Sequence, residues 1–204
     1  MSQYLHSDYK DLKAVAAARR ADYTSANPFP HMAFSNFFDS SFLEQVLAEF
    51  PDLAARDTIR YNNPNEKKFA SRGEGDMGPR TLELIHYLNS APFLEFLQEL
   101  TSIDETLLGD PYLIGGGLHE IKRGGLLKVH ADFNKHARTG LDRRLNVLVY
   151  LNKDWKEEYG GHFELWDRNM EKAVQKVLPT FNTLALFSTT DYSYHGHQIG
   201  RAHV

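Results

Sequence analysis

Apolar residues are distributed differently in the two halves of this 204-residue chain. In the first half, the stretches LKAVAAARRADY and DSSFLEQVLAEFPD are rich in helix-forming residues. The second stretch offers Asp39 or Ser40 as an N-cap and Pro51 as a stop. The stretch PRTLELIHYLNSAPFLEFLQEL predicts two helices that are broken near Ser90, with Pro92 tolerated in the first turn of the second helix.

A polar segment separates these predicted helices. The stretch RYNNPNEKKFASRGEGDMGP contains many turn-forming residues, so it predicts a surface loop, with a lid over a functional site as a second interpretation.

From about Tyr112 onward the chain consists of short stretches that are rich in β-branched and aromatic residues and are separated by Gly, Pro, Asn or Asp. They are YLIGGGLHEIK, LLKVHAD, RLNVLVYLN, HFELWD, AVQKVLP, TLALFS and YSYHGH. Closely spaced short strands without helices between them predict an antiparallel sandwich or a small barrel. We therefore predict an α+β fold in a single domain, 1–204, in which a mainly helical part, 1–111, packs outside a β core, 112–204.

The composition is that of a soluble globular protein, with 42% hydrophobic and 25% charged residues. A net charge of −4 gives no reason to expect nucleic acid as a partner. The chain has no cysteine, which excludes disulfides, thiolate metal sites and a cysteine nucleophile. No stretch has the apolar character of a signal peptide or of a membrane span, so we predict a cytoplasmic protein without membrane contact.

The stretch KVHADFNKH ends a predicted strand and places His130 and Asp132 on the same face of the chain. A second His-x-Asp pair, His6 and Asp8, lies in the leader segment, and there an ordinary surface role is the better interpretation. Two histidines and one carboxylate on one face, with the opposite face open, are typical of non-haem Fe(II) oxygenases. The candidates for the third ligand are His136, His162, His195, His197 and His203.

Four motifs in the β half resemble, in order and spacing, the prolyl-4-hydroxylase-like branch of the Fe(II)/2-oxoglutarate-dependent dioxygenases. They are HADFN, RRLNVLVYLNKDW, YGGHFELWD and LPTFNTLALFSTTDYSYHGH. The resemblance covers about 112–197 and is closest to uncharacterised bacterial members of the superfamily. It implies a double-stranded β-helix, or jelly roll, with helices on one side.

The resemblance also implies roles for individual residues. His130 and Asp132 correspond to the first two iron ligands, and the third falls on His195, with His197 as the competing choice because both share one strand face. Tyr150 corresponds to a tyrosine that binds the distal carboxylate of 2-oxoglutarate in some relatives. Arg201 is the first candidate for the basic residue that pairs with this carboxylate, and Arg144 and Lys128 follow it.

The implied activity is hydroxylation of an unactivated C–H bond, with Fe(II), 2-oxoglutarate and O2 as cofactor and co-substrates, ascorbate as an optional reductant, and release of succinate and CO2. The presence of Asp132 favours hydroxylation over halogenation. The substrate is expected to be a small molecule or a prolyl side chain, and no oligomeric state is predicted. Two alternatives are a cupin-like metal enzyme with non-redox chemistry and a non-catalytic jelly-roll binding domain.

Overall fold

The computed structural model describes residues 2–199. Four α-helices lie in the first half of the chain: α1 (Leu12–Thr24), α2 (Ser40–Ala48), α3 (Pro79–Leu88) and α4 (Ala91–Thr101). The predicted helices are confirmed, including the break at Ser90, which precedes the first residue of α4. The side chain of Asp39 is the N-cap of α2 and accepts a hydrogen bond from the Phe42 N–H. No helix within 2–199 combines the length and the apolar character that a membrane span requires.

Within residues 2–199, ten β-strands form two antiparallel sheets. They are β1 (His31–Ser35), β2 (Ile59–Asn63), β3 (Glu66–Ala70), β4 (His119–Glu120), β5 (Leu126–His130), β6 (Leu145–Tyr150), β7 (Phe163–Trp166), β8 (Ala173–Val177), β9 (Thr183–Ser188) and β10 (His195–Gln198). The small sheet has the order β1-β9-β6. The large sheet has the order β2-β3-β5-β10-β7-β8, and β4 pairs with β3.

The two faces of the small sheet bury different sets of side chains. Leu184 and Leu186 of β9 pack against the helices α1 and α4 in the main apolar core. Ala185 and Phe187 alternate with them and face the large sheet, where they meet Phe163 of β7. The expected architecture, with helices outside a sandwich of two sheets, is thereby confirmed.

Two segments differ from the sequence prediction. The prediction of a loop for the polar stretch is wrong in the first half of that stretch, because 59–70 forms the hairpin β2–β3 at the edge of the large sheet. Its tight turn is fixed by Asn63, whose side-chain oxygen accepts hydrogen bonds from the N–H groups of Asn65 and Glu66. An edge strand such as β2, which is mostly exposed, has no need of alternating apolar residues. Together with β1, the hairpin contributes three strands to the sheets from 1–111, the part that is predicted to be mainly helical.

The other difference concerns YLIGGGLHEIK, of which only His119 and Glu120 are in a strand. The preceding residues form turns around the Asp110 carboxylate, which accepts hydrogen bonds from the N–H groups of Tyr112 and Ile114 at 2.8 and 2.7 Å. A short acidic side chain that binds nearby N–H groups competes with strand pairing, and this competition explains the missing strand.

A buried asparagine directly before β9 links that strand to the segment between β1 and α2. The side chain of Asn182 accepts a hydrogen bond from the Phe38 N–H and donates one to the Phe38 carbonyl, each at 2.8 Å. Its backbone has a φ of 64°, a conformation that asparagine tolerates better than most residues.

We expect Asn182→Ala to lower the free energy of unfolding by about 2–4 kcal/mol, because it leaves the buried N–H and C=O groups of Phe38 without partners. The matched control is Asn36→Ala, since Asn36 is exposed and also has a positive φ, 53°. The control should lose only about 1 kcal/mol, the backbone cost alone. Equal losses for the two variants in urea unfolding would contradict the bridging role of Asn182.

Candidate metal centre

His130 and His195 lie opposite each other in neighbouring strands of the large sheet. His130 is the last residue of β5 and His195 is the first residue of β10, and the two are register partners. Partners in an antiparallel pair point to the same face of the sheet, so the imidazole rings meet, with their centroids 4.5 Å apart. The ring of Phe187 from the small sheet lies 4.6 Å from that of His195. The pair therefore faces the space between the two sheets.

Asp132 completes the group two residues after β5. Its Oδ1 atom lies 3.4 Å from Nε2 of His130, and its Oδ2 atom lies 3.8 Å from Nε2 of His195. Ligand atoms from the three side chains all lie within 4.8 Å of one another. Among the residues 2–199 this is the one group of three or more His, Cys, Asp or Glu side chains that is close enough to hold a metal ion.

Both imidazoles are oriented by backbone carbonyls. Nδ1 of His130 bonds to the Lys128 carbonyl at 2.8 Å, and Nδ1 of His195 bonds to the Ser193 carbonyl at 2.9 Å. Because a carbonyl oxygen can only accept, each Nδ1 must carry a proton. In the neutral imidazole each Nε2 then carries the lone pair, which is the tautomer that metal-binding histidines need.

The Asp132 carboxylate has its own supporting contacts. The side-chain amide of Asn146 donates to Oδ2 at 2.7 Å, and the guanidinium of Arg143 lies 3.4 Å from the same oxygen. Burial by itself would raise the pKa of Asp132, but the hydrogen bond from His130 and the charge of Arg143 outweigh it and hold the pKa well below its usual range. Asp132 therefore stays negative at neutral pH.

The pKa values of the two histidines are shifted in opposite directions. Burial lowers the pKa of His195 to about 4, although Asp132 and the Ser193 carbonyl partly oppose this shift. Burial is the largest influence on the pKa of His130 and acts to lower it, but the hydrogen bond to Asp132, the bond to the Lys128 carbonyl and the charge of Asp132 together raise the net pKa. The field at the site thus favours positive charge close to His130 and Asp132.

The other histidines that the sequence offered as a third ligand have different neighbours. His136 bonds to Asp110 at 3.1 Å, and His162 pairs with Glu157 at 2.9 Å. His197 is opposite Leu127 rather than His130, beyond a register shift that follows His195. His203 and the co-substrate candidate Arg201 both lie outside the described residues. Sequence periodicity could not separate His195 from His197, but the register does.

The other residues that the sequence offered for binding 2-oxoglutarate lie in different parts of the fold. Tyr150 faces the interior from β6, on the same strand face as Asn146 and Leu148. Arg144 pairs with Glu105 at 2.8 Å, and Lys128 is exposed, so neither is directed at the triad. The sequence did not identify Arg143 as a residue of the site. The signal that could have found it is its position three residues before Asn146 in RRLN.

Three histidines of the interior resist protonation, so acid should destabilise the fold. Burial lowers the pKa values of His119, His195 and His197 from 6.5 to about 4. The unfolded chain takes up these protons near pH 6.5 and the folded chain only near pH 4. The stability that they contribute is therefore complete above pH 6.5 and is lost as the pH falls toward 4, while His130, with its raised pKa, acts in the opposite direction.

We expect the free energy of unfolding in EDTA to fall by about 2 kcal/mol per histidine between pH 7 and pH 5. Urea unfolding at a series of pH values measures this loss. His119→Gln should make the pH dependence shallower, because one protonation is removed. A free energy that is constant or rises toward pH 5 would contradict the shifts.

Comparison with known proteins supports the same chemistry. A family model described as the 2OG-Fe(II) oxygenase superfamily matches residues 116–202. No curated protein is significantly similar to the chain in sequence.

Solved structures of prolyl hydroxylases share the fold. A Pseudomonas putida prolyl-4-hydroxylase is 14% identical with a TM-score of 0.63, over 92% of each chain. A Trichoplax adhaerens prolyl hydroxylase, solved in complex with a peptide of the hypoxia inducible factor oxygen degradation domain, is 21% identical with a TM-score of 0.64, over 99% of this chain and 91% of that one. A Phytophthora capsici prolyl 4-hydroxylase is 18% identical with a TM-score of 0.54, over 98% of this chain and 64% of that one.

The family match includes all three residues of the triad, and the fold agrees with it over nearly the whole chain. Residues 116–202 therefore match the 2OG-Fe(II) oxygenase superfamily, and the chain has the fold of the prolyl-4-hydroxylases.

Proposed function

We propose that His130, Asp132 and His195 hold Fe(II) and that the enzyme hydroxylates a prolyl-type C–H bond. The observation that supports the iron site is the convergence of two imidazole Nε2 atoms and one carboxylate within 4.8 Å. Two histidines and one carboxylate that leave positions open are the donor set of non-haem Fe(II) oxygenases. The carbonyl bonds at both Nδ1 atoms fit this role, because they fix the rings with Nε2 toward the shared space.

The neighbours of Asp132 determine which of its oxygens serves the metal. Asn146 and Arg143 both approach Oδ2, which leaves Oδ1 as the oxygen without these donors. In this proposal Asn146 positions the carboxylate, and Arg143 compensates part of its negative charge.

When bound, Fe(II) with 2-oxoglutarate and O2 supplies the oxidising chemistry that inserts one oxygen atom into a C–H bond and releases succinate and CO2. The protein excludes water from one side of the site with the rings of Phe187 and Phe163, which lie 4.6 and 5.7 Å from the ring of His195. Burial raises the pKa of Tyr150, so its hydroxyl keeps a proton that can be donated to a carboxylate of the co-substrate.

A prolyl residue in a peptide is the substrate class that the rim of the site supports. Phe133 follows Asp132 directly and is 42% exposed, and the guanidinium of Arg143 lies 4.4 Å from the centre of its ring. An exposed aromatic ring offers an apolar face to a pyrrolidine ring, and the neighbouring guanidinium can donate to a peptide carbonyl. The P. putida and T. adhaerens neighbours are named as prolyl hydroxylases.

The metal site is tested by comparing two histidines of the same strand. We expect His195→Ala to lower the affinity for Fe(II) at least 100-fold, because one of three ligands is lost. His197→Ala is the matched control and should retain one equivalent of tightly bound iron. Anaerobic titration of each variant with Fe(II), followed by 2-oxoglutarate at a saturating concentration, should show the visible charge-transfer band in the His197 variant but not in the His195 variant. The reverse result would transfer the ligand role to His197.

The same preparation separates the oxygenase from its alternatives. Succinate formation that requires Fe(II) and O2, with or without ascorbate, agrees with the proposal. A preference for zinc or manganese together with no succinate would support a non-redox metal enzyme. Retained iron without any turnover would support a binding domain.

The substrate class is tested with proline-containing peptides. We expect such peptides to accelerate succinate release and to gain the mass of one oxygen atom, whereas the same peptides with alanine in place of proline should not. Phe133→Ala should raise the KM for the peptide several-fold and leave the iron content unchanged, because it removes only apolar contact. Hydroxylation of free small molecules in preference to every peptide would contradict the peptide assignment.

A further inference from the structure

A lysine lies among the interior histidines of the large sheet. Lys68 belongs to β3, and its side chain is only 12% exposed. Its ammonium group lies 2.9 Å from Oε1 of Glu66 and 5.1 Å from the centre of the Tyr61 ring. Lysine is rarely buried in this way, and an ammonium group has three donors, of which the bond to Glu66 uses one. Lys68 can therefore accommodate a further acceptor.

The register of three strands places Lys68 on the face that carries the triad. Glu66 of β3 is opposite Leu127 of β5, and Leu127 is opposite His197 of β10. These three residues form one row and point to the same side of the sheet. Lys68 is two residues beyond Glu66 in the same strand and shares its face.

A β-bulge in the pairing of β5 with β10 places this row on the same side of the sheet as the triad. Between the pairs His195–His130 and His197–Leu127, β10 advances two residues and β5 advances three. The extra residue in β5 allows Leu127 and His130 to point to the same side in spite of their odd spacing. Lys68, His197 and the metal-binding pair therefore share the interior.

The charge distribution agrees with this placement. Burial is the main cause of the low pKa values of His119 and His197, and the positive charge of Lys68 is the next contribution at both residues. The same charge also acts to lower the pKa of His130. Nε2 of His197 is buried and has no hydrogen-bond partner in the described part of the chain.

A cation beside an imidazole with an unpartnered buried nitrogen suits a carboxylate, because each group can donate to one of its oxygens. We propose that Lys68 binds the distal carboxylate of 2-oxoglutarate, with His197 as a second donor. This inference rests on the proposed function, since it assumes that the keto-acid end of the co-substrate binds at the triad.

The other cations near the site are less suited to this role. Arg143 is directed at Asp132, 3.4 Å away. Arg144 is paired with Glu105, and Lys128 is exposed. Arg201, the candidate from the sequence, lies outside the described residues and is included in the test.

The experiment compares two ligands that differ only at the distal end. 2-Oxoglutarate has a carboxylate there, whereas 2-oxopentanoate has a methyl group and keeps the same keto-acid head. We would measure the Kd of each for the anaerobic Fe(II) protein by titrating the charge-transfer band and by calorimetry. In Lys68→Met the affinity for 2-oxoglutarate should fall roughly 10- to 100-fold, while that for 2-oxopentanoate should stay within about twofold.

Three further variants make the result specific. Lys67→Met is the matched control, because Lys67 is the next residue in β3 and is exposed on the opposite face; it should bind both ligands like the wild type. Lys68→Gln provides a second neutral variant if the methionine variant does not fold, as judged by its melting temperature and iron content. Arg201→Met tests the alternative anchor.

The proposal is overturned if the Lys68 variants keep the wild-type preference for 2-oxoglutarate, or if Arg201→Met alone abolishes that preference. Loss of affinity for both ligands in the Lys68 variants would also contradict it, because it would indicate a general disturbance of the site. If the wild-type Fe(II) protein binds neither ligand, the proposed function itself fails.

Discussion

The pairing of β10 with β5 determines the geometry of the whole interior. It sets His195 opposite His130 and, through the bulge, turns His197 toward Leu127. The close approach of the two strands depends on Gly196, since a Cβ atom there would lie 2.7 Å from the Leu127 carbonyl oxygen. A side chain at this position would push β10 away from β5 and separate the histidines. The glycine between the two histidines is thus a requirement of the site rather than a spacer.

The same strand pair brings together groups that are costly to bury. Two carboxylates, two cations and four imidazoles lie on or near the interior face, and each would favour water if it were alone. Their arrangement reduces this cost, because Asn146 and Arg143 support Asp132, while Glu66 compensates Lys68. Burial keeps His195 neutral, and a neutral imidazole is the form that a metal ion can bind. Burial of these groups therefore costs stability and, at the same time, keeps His195 in the form that can bind a metal ion.

The sequence predicted the elements whose signals are local. The helix-forming composition and the Asp39 cap gave α2, and the motif order gave the positions of His130 and Asp132. It could not predict the hairpin β2–β3, because an exposed edge strand shows no apolar alternation. Nor could it choose between His195 and His197, which have the same parity in one strand and differ only through a bulge in another. The register between strands that are distant in sequence cannot be predicted from a local pattern. For the same reason the sequence did not predict the interior position of Lys68.

The hairpin β2–β3, which the sequence did not predict, links the first half of the chain to the candidate metal site in the second half. Its strand β3 pairs with both β4 and β5, and the Asn65 carbonyl accepts a hydrogen bond from the Lys128 N–H at 2.8 Å, within the bulge. The hairpin also lines a cleft of about 470 Å³ that reaches His130 and is bordered by Asn63 and Glu66. A displacement of β3 would therefore change the path of β5 just before His130. Because this segment supports the strand that carries His130 from the edge of the sheet, it is part of the candidate site and not a surface appendage.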